Sequence, residues 1–295
     1  SGKFKISVAG AGAWASGTPL NTARQYLCGT NLGTQTAALM TGGTTTAPTE
    51  LWNGSTWTEI LDPGTPRSKA SGMGITTAFL LAGGDVVTGS PGAINKTETW
   101  DGTSWTEVNP LTDTRYNMGE FGSSTSATVA GGQSPGATNA AESWDGTSWA
   151  AIPTLNAPAF ENAGAGLVST AGIVFGGRTN SATTESWNGS AWTEVNDLNS
   201  GRQDLAGSGS STAALSYGGY HSPTPPLALT TATEKWDGTS WTTVASLANG
   251  QWATEGVGAS TAAMLCGGSA ISPTTSALVE EWNDPVYTIK TVTVS

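Results

Sequence analysis

The chain of 295 residues carries 22 acidic against 11 basic side chains, a formal charge of −11, and contains 13 tryptophans and 40 glycines. An acidic surface repels phosphate backbones, which excludes nucleic acid as a principal partner. No run of 18 apolar residues is present, so no membrane-spanning segment is expected, and two cysteines are too few for a disulfide framework.

The first predicted element is a strand over residues 4–8, and a β-branched run over residues 286–294 predicts a strand near the other end. Between them an aromatic marker recurs at gaps of 43, 48, 44, 43, 49 and 46 residues. This period is typical of β-propellers, in which each copy forms one four-stranded blade. The sequence therefore predicts a single all-β domain over residues 1–295. The markers are Trp14, Trp57, Trp105, Trp149, Trp192, Trp241 and Tyr287.

Each copy contains a predicted hairpin just before its marker. An Asn-Gly or Asp-Gly turn, as in residues 100–105 (Trp-Asp-Gly-Thr-Ser-Trp), joins two aromatic-bearing segments and accepts the positive φ of a tight turn. Earlier in each copy, a run of small residues ends in a glycine pair, which indicates the two inner strands near the axis. The pairs are Gly42 and Gly43, Gly83 and Gly84, Gly131 and Gly132, Gly176 and Gly177, Gly218 and Gly219, and Gly267 and Gly268.

These features resemble the kelch repeat, in which a glycine pair closes an apolar strand and an aromatic strand and a tryptophan follow. An arginine ten residues after the tryptophan also matches, although two copies carry Ala159 and Gln251 there, and the usual third-strand tyrosine is tryptophan here. The resemblance covers residues 14–287 and implies a six-bladed kelch-type propeller, in which these arginines pack or pair between blades. The arginines are Arg24, Arg67, Arg115 and Arg202.

A narrower resemblance is to kelch-like structural proteins of tailed bacteriophages, especially marine cyanophages. It rests on residues 20–24 (Leu-Asn-Thr-Ala-Arg), 34–39 (Thr-Gln-Thr-Ala-Ala-Leu), the glycine pair at 42–43, residues 185–195 (Glu-Ser-Trp-Asn-Gly-Ser-Ala-Trp-Thr-Glu-Val), and the ending over 280–290. The resemblance implies a virion component, such as a tail, fibre or surface-decoration protein, whose partners are other virion proteins or copies of itself.

The sequence does not decide which terminal strand closes the ring. Six glycine pairs supply six pairs of inner strands, whereas seven segments suit the outermost position, including those of Trp14 and Tyr287. The surplus strand, from residues 1–14 or 283–295, predicts an enlarged closing blade; a seventh blade and strand exchange with a second subunit are the alternatives. Cys28 and Cys266 lie in the first and last copies, where a bridge or two buried thiols are both compatible with the ring.

Catalytic patterns are scarce. One histidine, His221, cannot build a histidine-based metal site, and neither a metal nor a cofactor is expected. Glycosidases need two facing carboxylates, and the candidates Glu120, Glu161 and Glu255 do not share one register relative to their preceding tryptophans. We therefore expect a protein that is not an enzyme, with a secreted carbohydrate-active enzyme as the alternative.

The two faces of the predicted disc differ. The Asn/Asp-Gly turns lie on one face, and loops of unequal length follow the glycine pairs on the other, such as residues 44–49, 85–97 and 220–233. Unequal loops on a rigid scaffold are typical of binding surfaces. The chain is expected to bind a host surface glycan through this face, as a virion protein or, in the alternative, an extracellular one. The candidate ligand residues, which depart from the repeat, are Tyr220, His221, Trp252 and Phe160.

Overall fold

The computed structural model describes residues 2–9, 12–43, 48–86, 92–179, 181–221, 228–271, 274–284 and 287–294. Strands joined by turns make up these ranges. They contain no helix with the length and apolar character needed to cross a bilayer. Parts of the three unequal loops, residues 44–47, 87–91 and 222–227, lie outside the described residues. So do residues 1, 10 and 11 of the N-terminal segment and residues 285, 286 and 295 of the C-terminal segment.

Six four-stranded antiparallel sheets form the blades of a β-propeller. The innermost strand of each blade contacts that of the next, and the innermost strand of blade 6 contacts that of blade 1, so the ring is closed. The predicted all-β, six-bladed fold is confirmed, and the seven-bladed alternative is wrong.

The blades are numbered along the chain, and their strands are given from the axis outward. Blade 1 comprises Cys28–Gly29, Ala38–Thr41, Thr49–Trp52 and Trp57–Ile60. Blade 2 comprises Ser71–Ile75, Ala78–Ala82, Thr97–Trp100 and Trp105–Val108. Blade 3 comprises Gly119–Ser123, Ser126–Ala130, Ala141–Trp144 and Trp149–Ile152.

The second half of the ring follows the same order. Blade 4 comprises Ala163–Val168, Ala171–Phe175, Thr184–Trp187 and Trp192–Glu194. Blade 5 comprises Ala206–Ser210, Ala213–Tyr217, Thr233–Trp236 and Trp241–Val244. Blade 6 comprises Glu255–Ala259, Ala262–Cys266, Val279–Asn283 and Ala13–Ser16. Short two-stranded ribbons pair Arg67–Ser68 with Asp85–Val86, Tyr220–His221 with Ala228–Leu229, and Ser269–Ile271 with Thr274–Thr275.

The N-terminal part of the chain closes the ring. Ala13–Ser16 pairs with Val279–Asn283, which places Trp14 opposite Trp282. Because this strand already occupies the outer edge of blade 6, the other terminal strand, Tyr287–Val294, pairs instead with Gly2–Ala9 over eight residues. The predicted enlarged closing blade is therefore wrong: blade 6 has four strands, and the surplus strand belongs to a separate two-stranded ribbon.

Twelve of the thirteen tryptophans form six cross-strand pairs, one on the two outer strands of each blade. Their ring centroids are 5.2 to 5.7 Å apart. Indoles on the outermost strands of blades 3, 5 and 6 also donate hydrogen bonds of 2.9 to 3.1 Å to threonine hydroxyls of the preceding blade. The repeated tryptophans thus pack each blade and join it to its neighbour.

The innermost strands approach one another too closely for side chains at one repeated position. A Cβ added at Gly164 would lie 2.2 Å from the carbonyl oxygen of Glu120, and one at Gly256 would lie 2.2 Å from that of Gly207. Glycine at this position lets the blades converge on the axis.

The repeated arginines lie buried between the strands and pair with a glutamate on the third strand of the blade that follows each of them. The separation is 3.1 Å for Arg24 and Glu50 and 3.2 Å for Arg202 and Glu234. Arg67 pairs with Glu98, and Arg115 with Glu142, in the same way. These arginines connect strands within the scaffold.

Cys28 and Cys266 are free thiols, both buried. Their surroundings exclude water, and this desolvation raises the pKa of each thiol above its ordinary value. The bridge that the sequence left open does not form in this structure.

Candidate functional site

A ring of six residues surrounds the axis, each two residues after the repeated arginine position. All six have positive φ, between 51° and 58°, and five of them are neither glycine nor asparagine, the residues that adopt this conformation most readily. The ring residues are Tyr26, Lys69, Asn117, Glu161, Asp204 and Ala253.

The backbone of these residues forms a closed circle of hydrogen bonds. Each N–H donates to the carbonyl oxygen of the ring residue on the preceding blade, and the N–H of Tyr26 closes the circle on Ala253. The six N···O distances are 2.9 to 3.1 Å. Because the circle pairs these backbone groups, it supports the same conformation at all six positions although their side chains differ.

The ring forms the mouth of an axial depression of about 650 Å³, a volume that includes its open end. The first residues of several inner strands line its wall. Each ring residue precedes an innermost strand, and each glycine pair ends the antiparallel second strand. The mouth therefore opens on the face that carries the unequal loops, as opposed to the face of the Asn/Asp-Gly turns.

Two acidic ring residues are neighbours at the mouth. Glu161 accepts a hydrogen bond of 3.0 Å from the Gln203 amide and lies 3.7 Å from the Arg178 guanidinium. Asp204 accepts a 3.5 Å hydrogen bond from the hydroxyl of Tyr26. Burial, and then the charge of Glu161, raises the pKa of Asp204 well above its usual range. Burial also raises the pKa of Glu161, against the opposing charges of Arg178 and Lys69.

Two further carboxylates, Glu120 and Glu255, lie deeper in the depression on blades 3 and 6, which face each other across the axis. Both side chains are half-buried in the wall, and desolvation by the surrounding protein raises the pKa of Glu120 to about 8, although the Ser71 hydroxyl donates to it at 3.2 Å. Desolvation, followed by the charge of Glu120, raises the pKa of Glu255. At neutral pH this part of the depression therefore retains at least one proton.

Glu120, Glu161 and Glu255 lie at different distances along the chain from their preceding tryptophans, yet the structure brings them together. Glu161 belongs to the ring, Glu255 is two positions beyond its own ring residue, and Glu120 is three beyond. All three line the same depression.

Aromatic side chains surround part of the mouth. The Lys69 ammonium lies 4.8 Å from the ring centroid of Tyr26 and 5.1 Å from that of Tyr116. Trp252, the one tryptophan outside the cross-strand pairs, contacts Tyr26 and Tyr220 edge to face, with centroids 5.6 and 5.3 Å apart. Tyr26, Tyr116 and Tyr220 remain partly exposed, whereas Trp252 is 8% exposed.

The four predicted ligand residues occupy different environments. Tyr220 lies beside the mouth, where its hydroxyl pairs with the amide of Gln203. Trp252 packs against Tyr220 and Tyr26 and is buried. Phe160 lies under the Arg178 guanidinium, 5.2 Å from its ring centroid. His221 hydrogen-bonds through Nδ1 to the Gly201 carbonyl oxygen at 2.8 Å and is not among the residues lining the depression.

Glu161 is the one ring residue that the sequence singled out. The ring position lies two residues after the repeated arginine position in every copy, and this constant spacing is the signal that would have found the others. Among the described residues, no group of three or more histidine, cysteine or carboxylate side chains has the arrangement of a metal site.

The fold and the site define a six-bladed β-propeller with a polar and aromatic axial depression. No protein-family model matches the chain, and no curated protein matches it in sequence. Its structure is similar to a solved structure titled "Structure of YjhT", with a TM-score of 0.74 and 12% identity, covering 93% of this chain and 98% of that one. At this identity the likeness shows the fold alone.

Proposed function

We propose that the chain is a non-enzymatic virion protein of a tailed bacteriophage that binds a host surface glycan in the axial depression. The observation that supports glycan binding is the ring itself, a rigid circle of backbone hydrogen bonds that presents six different side chains around one opening. A preformed concave site with a few convergent polar groups and aromatic faces is the usual form of a small-ligand site.

The side chains at the mouth suit the chemistry of a sugar. Tyr26, Tyr116 and Tyr220 provide partly exposed aromatic faces for the apolar side of a pyranose ring. Hydroxyl groups of a sugar donate and accept hydrogen bonds. Glu161 provides acceptor oxygens, and the Lys69 ammonium provides donors.

The assignment to a virion is supported by the kelch-like phage resemblance of the repeat and by the acidic composition, which disfavours nucleic acid as a partner. Other virion proteins or copies of this chain are the proposed structural partners. Detection of the chain in purified phage particles by mass spectrometry tests this part, and its absence from intact particles would refute it.

A glycan array tests the binding site. The unmodified protein is expected to retain a restricted set of glycans, and Lys69→Ala and Glu161→Gln are each expected to weaken binding about tenfold or more. Lys69→Ala removes a donor, and Glu161→Gln replaces one acceptor oxygen with a donor and removes the negative charge. Glu107→Gln, an exposed position on the outer strand of blade 2, is the matched control and should bind normally. Normal binding by both ring variants would contradict the site.

The second candidate is a carbohydrate-active enzyme, supported by Glu120 and Glu255. A carboxyl group that stays protonated near neutral pH beside a second carboxylate is the arrangement of glycosidase acid catalysis. A hydrolysis assay on the glycans that bind separates the two candidates. Turnover that disappears in both Glu120→Gln and Glu255→Gln would replace the non-enzymatic proposal.

A further inference from the structure

Blade 4 lacks the buried arginine that pairs with the third-strand glutamate in blades 1, 2, 3 and 5. Ala159 nevertheless has the same backbone setting as those arginines. Its carbonyl oxygen accepts from the N–H of Gly132 at 2.7 Å, as that of Arg202 accepts from Gly177 at 2.9 Å. The backbone therefore has the same hydrogen bond at Ala159 as at Arg202, and only the guanidinium is missing at Ala159.

A cavity of about 330 Å³, including its opening, occupies the corresponding space. In blade 3 the Arg115 guanidinium donates to the carbonyl oxygens of Gly131 and Ala140, both at 2.9 Å, and to Glu142. The equivalent residues of blade 4 are Gly176, Thr183 and Glu185, and all three line the cavity. The residues that hold a guanidinium in blade 3 thus have counterparts here, without the cation.

Glu185 is buried, with 4% of its surface exposed. It accepts three hydrogen bonds from Asn156, two from the backbone N–H and one of 2.7 Å from the side-chain amide. Glu234 of blade 5 accepts the same two kinds of bond from Asn199 and pairs in addition with Arg202. Within the described part of the chain, Glu185 has no such cationic partner.

A second observation points to a ligand at this position. Asn162 lines both this cavity and the axial depression, is 7% exposed, and has neither its amide oxygen nor its amide nitrogen hydrogen-bonded in the described structure. A buried amide without partners is unfavourable unless a bound group completes its hydrogen bonds. Ala157 and Pro158 border the cavity and are exposed, so it is accessible from the surface.

We propose that this cavity is a binding site for a guanidinium group, held by the carboxylate of Glu185 and the carbonyl oxygens of Gly176 and Thr183. The ligand is a small guanidino compound or the arginine side chain of a partner. In both cases the bound group supplies the charge and the planar donors that Arg202 supplies in blade 5.

Thermal unfolding in millimolar guanidinium chloride, against sodium chloride of equal ionic strength, tests the site with the guanidinium ion as probe. A ligand that binds the native state raises the melting temperature, here by about 2–4 °C relative to a variant without the cavity. Ala159→Arg is expected to raise the melting temperature and abolish the response. Ala159→Leu fills the cavity without adding a charge. It should abolish the response to guanidinium without the rise in melting temperature expected for Ala159→Arg.

Arg202→Ala is the positive control, because it creates the same cavity in blade 5, where guanidinium should restore part of the lost stability. Rescue of Arg202→Ala without a response of the unmodified protein would overturn the proposal. If neither responds, a crystal grown with guanidinium decides: density between Glu185, Gly176 and Thr183 supports the site, and its absence overturns it.

N-acetylarginine amide and N-acetyllysine amide distinguish the sources. Binding of the arginine derivative at least as tight as that of guanidinium, without binding of the lysine derivative, supports an arginine side chain of a partner. Binding of guanidinium alone supports a small guanidino compound. Equal binding of the lysine derivative would overturn the requirement for a guanidinium.

Discussion

The hairpin turns and the axial ring lie on opposite faces of the propeller and use repetition differently. Five hairpin turns carry Asn or Asp, whose Oδ1 accepts the backbone N–H groups two and three residues later. The six ring residues share one backbone conformation and carry six different side chains. Positions that carry the same type of side chain in each blade build the scaffold. Positions that share only a backbone conformation are free to carry side chains that bind a ligand.

The largest effect is expected at the repeated arginines. Arg67→Ala leaves Glu98 buried without its cation, which should lower the free energy of unfolding by about 3–5 kcal/mol. Arg178→Ala removes a guanidinium that is 53% exposed at the mouth and should cost less than about 1 kcal/mol. Urea denaturation of both variants measures the contrast, and equal losses would break the distinction between scaffold and mouth.

The inner-strand glycines come next. Gly164→Ala brings Cβ against the carbonyl oxygen of Glu120, a backbone atom that cannot move without shifting blade 3. The expected loss is about 2–3 kcal/mol of unfolding free energy, typical of overpacking. Gly136→Ala meets no atom within 4 Å and is the matched control, with no measurable change in denaturant midpoint. A tolerated Gly164→Ala would show that the blades can separate at the axis.

Glu120 makes stability depend on pH. Its folded pKa of about 8 lies above the ordinary value of 4.5, so the folded protein holds a proton that the unfolded chain releases between these values. The stabilisation is complete below pH about 4.5 and is lost as the pH rises through about 8. We expect a loss of about 2 kcal/mol, less than full conversion of the shift, because the side chain is partly accessible.

Denaturation of the Glu120→Gln variant across this pH range should show a smaller slope than the unmodified protein, since the amide does not titrate. Glu107→Gln, at an exposed position, should leave the slope unchanged. An identical slope in Glu120→Gln would exclude Glu120 as its source.

The smallest effect is expected at the ring backbone. Ala253 has φ of 53°, which costs an L-residue about 1–2 kcal/mol and glycine little. Ala253→Gly should therefore be neutral or stabilise by about 1 kcal/mol, after the greater freedom of glycine in the unfolded chain is included. Ala206→Gly, in the regular inner strand of blade 5, should cost about 1 kcal/mol. Equal losses in thermal melts would contradict a strained ring.

Much of the propeller follows from local sequence. The glycine pairs, the Asn/Asp-Gly turns and the paired tryptophans each act over a few residues, so their spacing indicated the strands and the number of blades. Closure did not follow, because Trp14 and Tyr287 are both suited to an outer strand. The edge of Val279–Asn283 accepts one of them, and only pairing in space decided that it is the strand of Trp14.

The candidate site, like the fold, was predicted from the sequence only in part. The sequence placed the variable face and named Glu120, Glu161 and Glu255 as carboxylates, since these depend on residue type and position in the repeat. It did not bring the three into one depression, because their convergence depends on six blades meeting at the axis. The burial of Trp252 and the cavity beside Glu185 were decided by tertiary packing alone, because each depends on side chains distant along the chain.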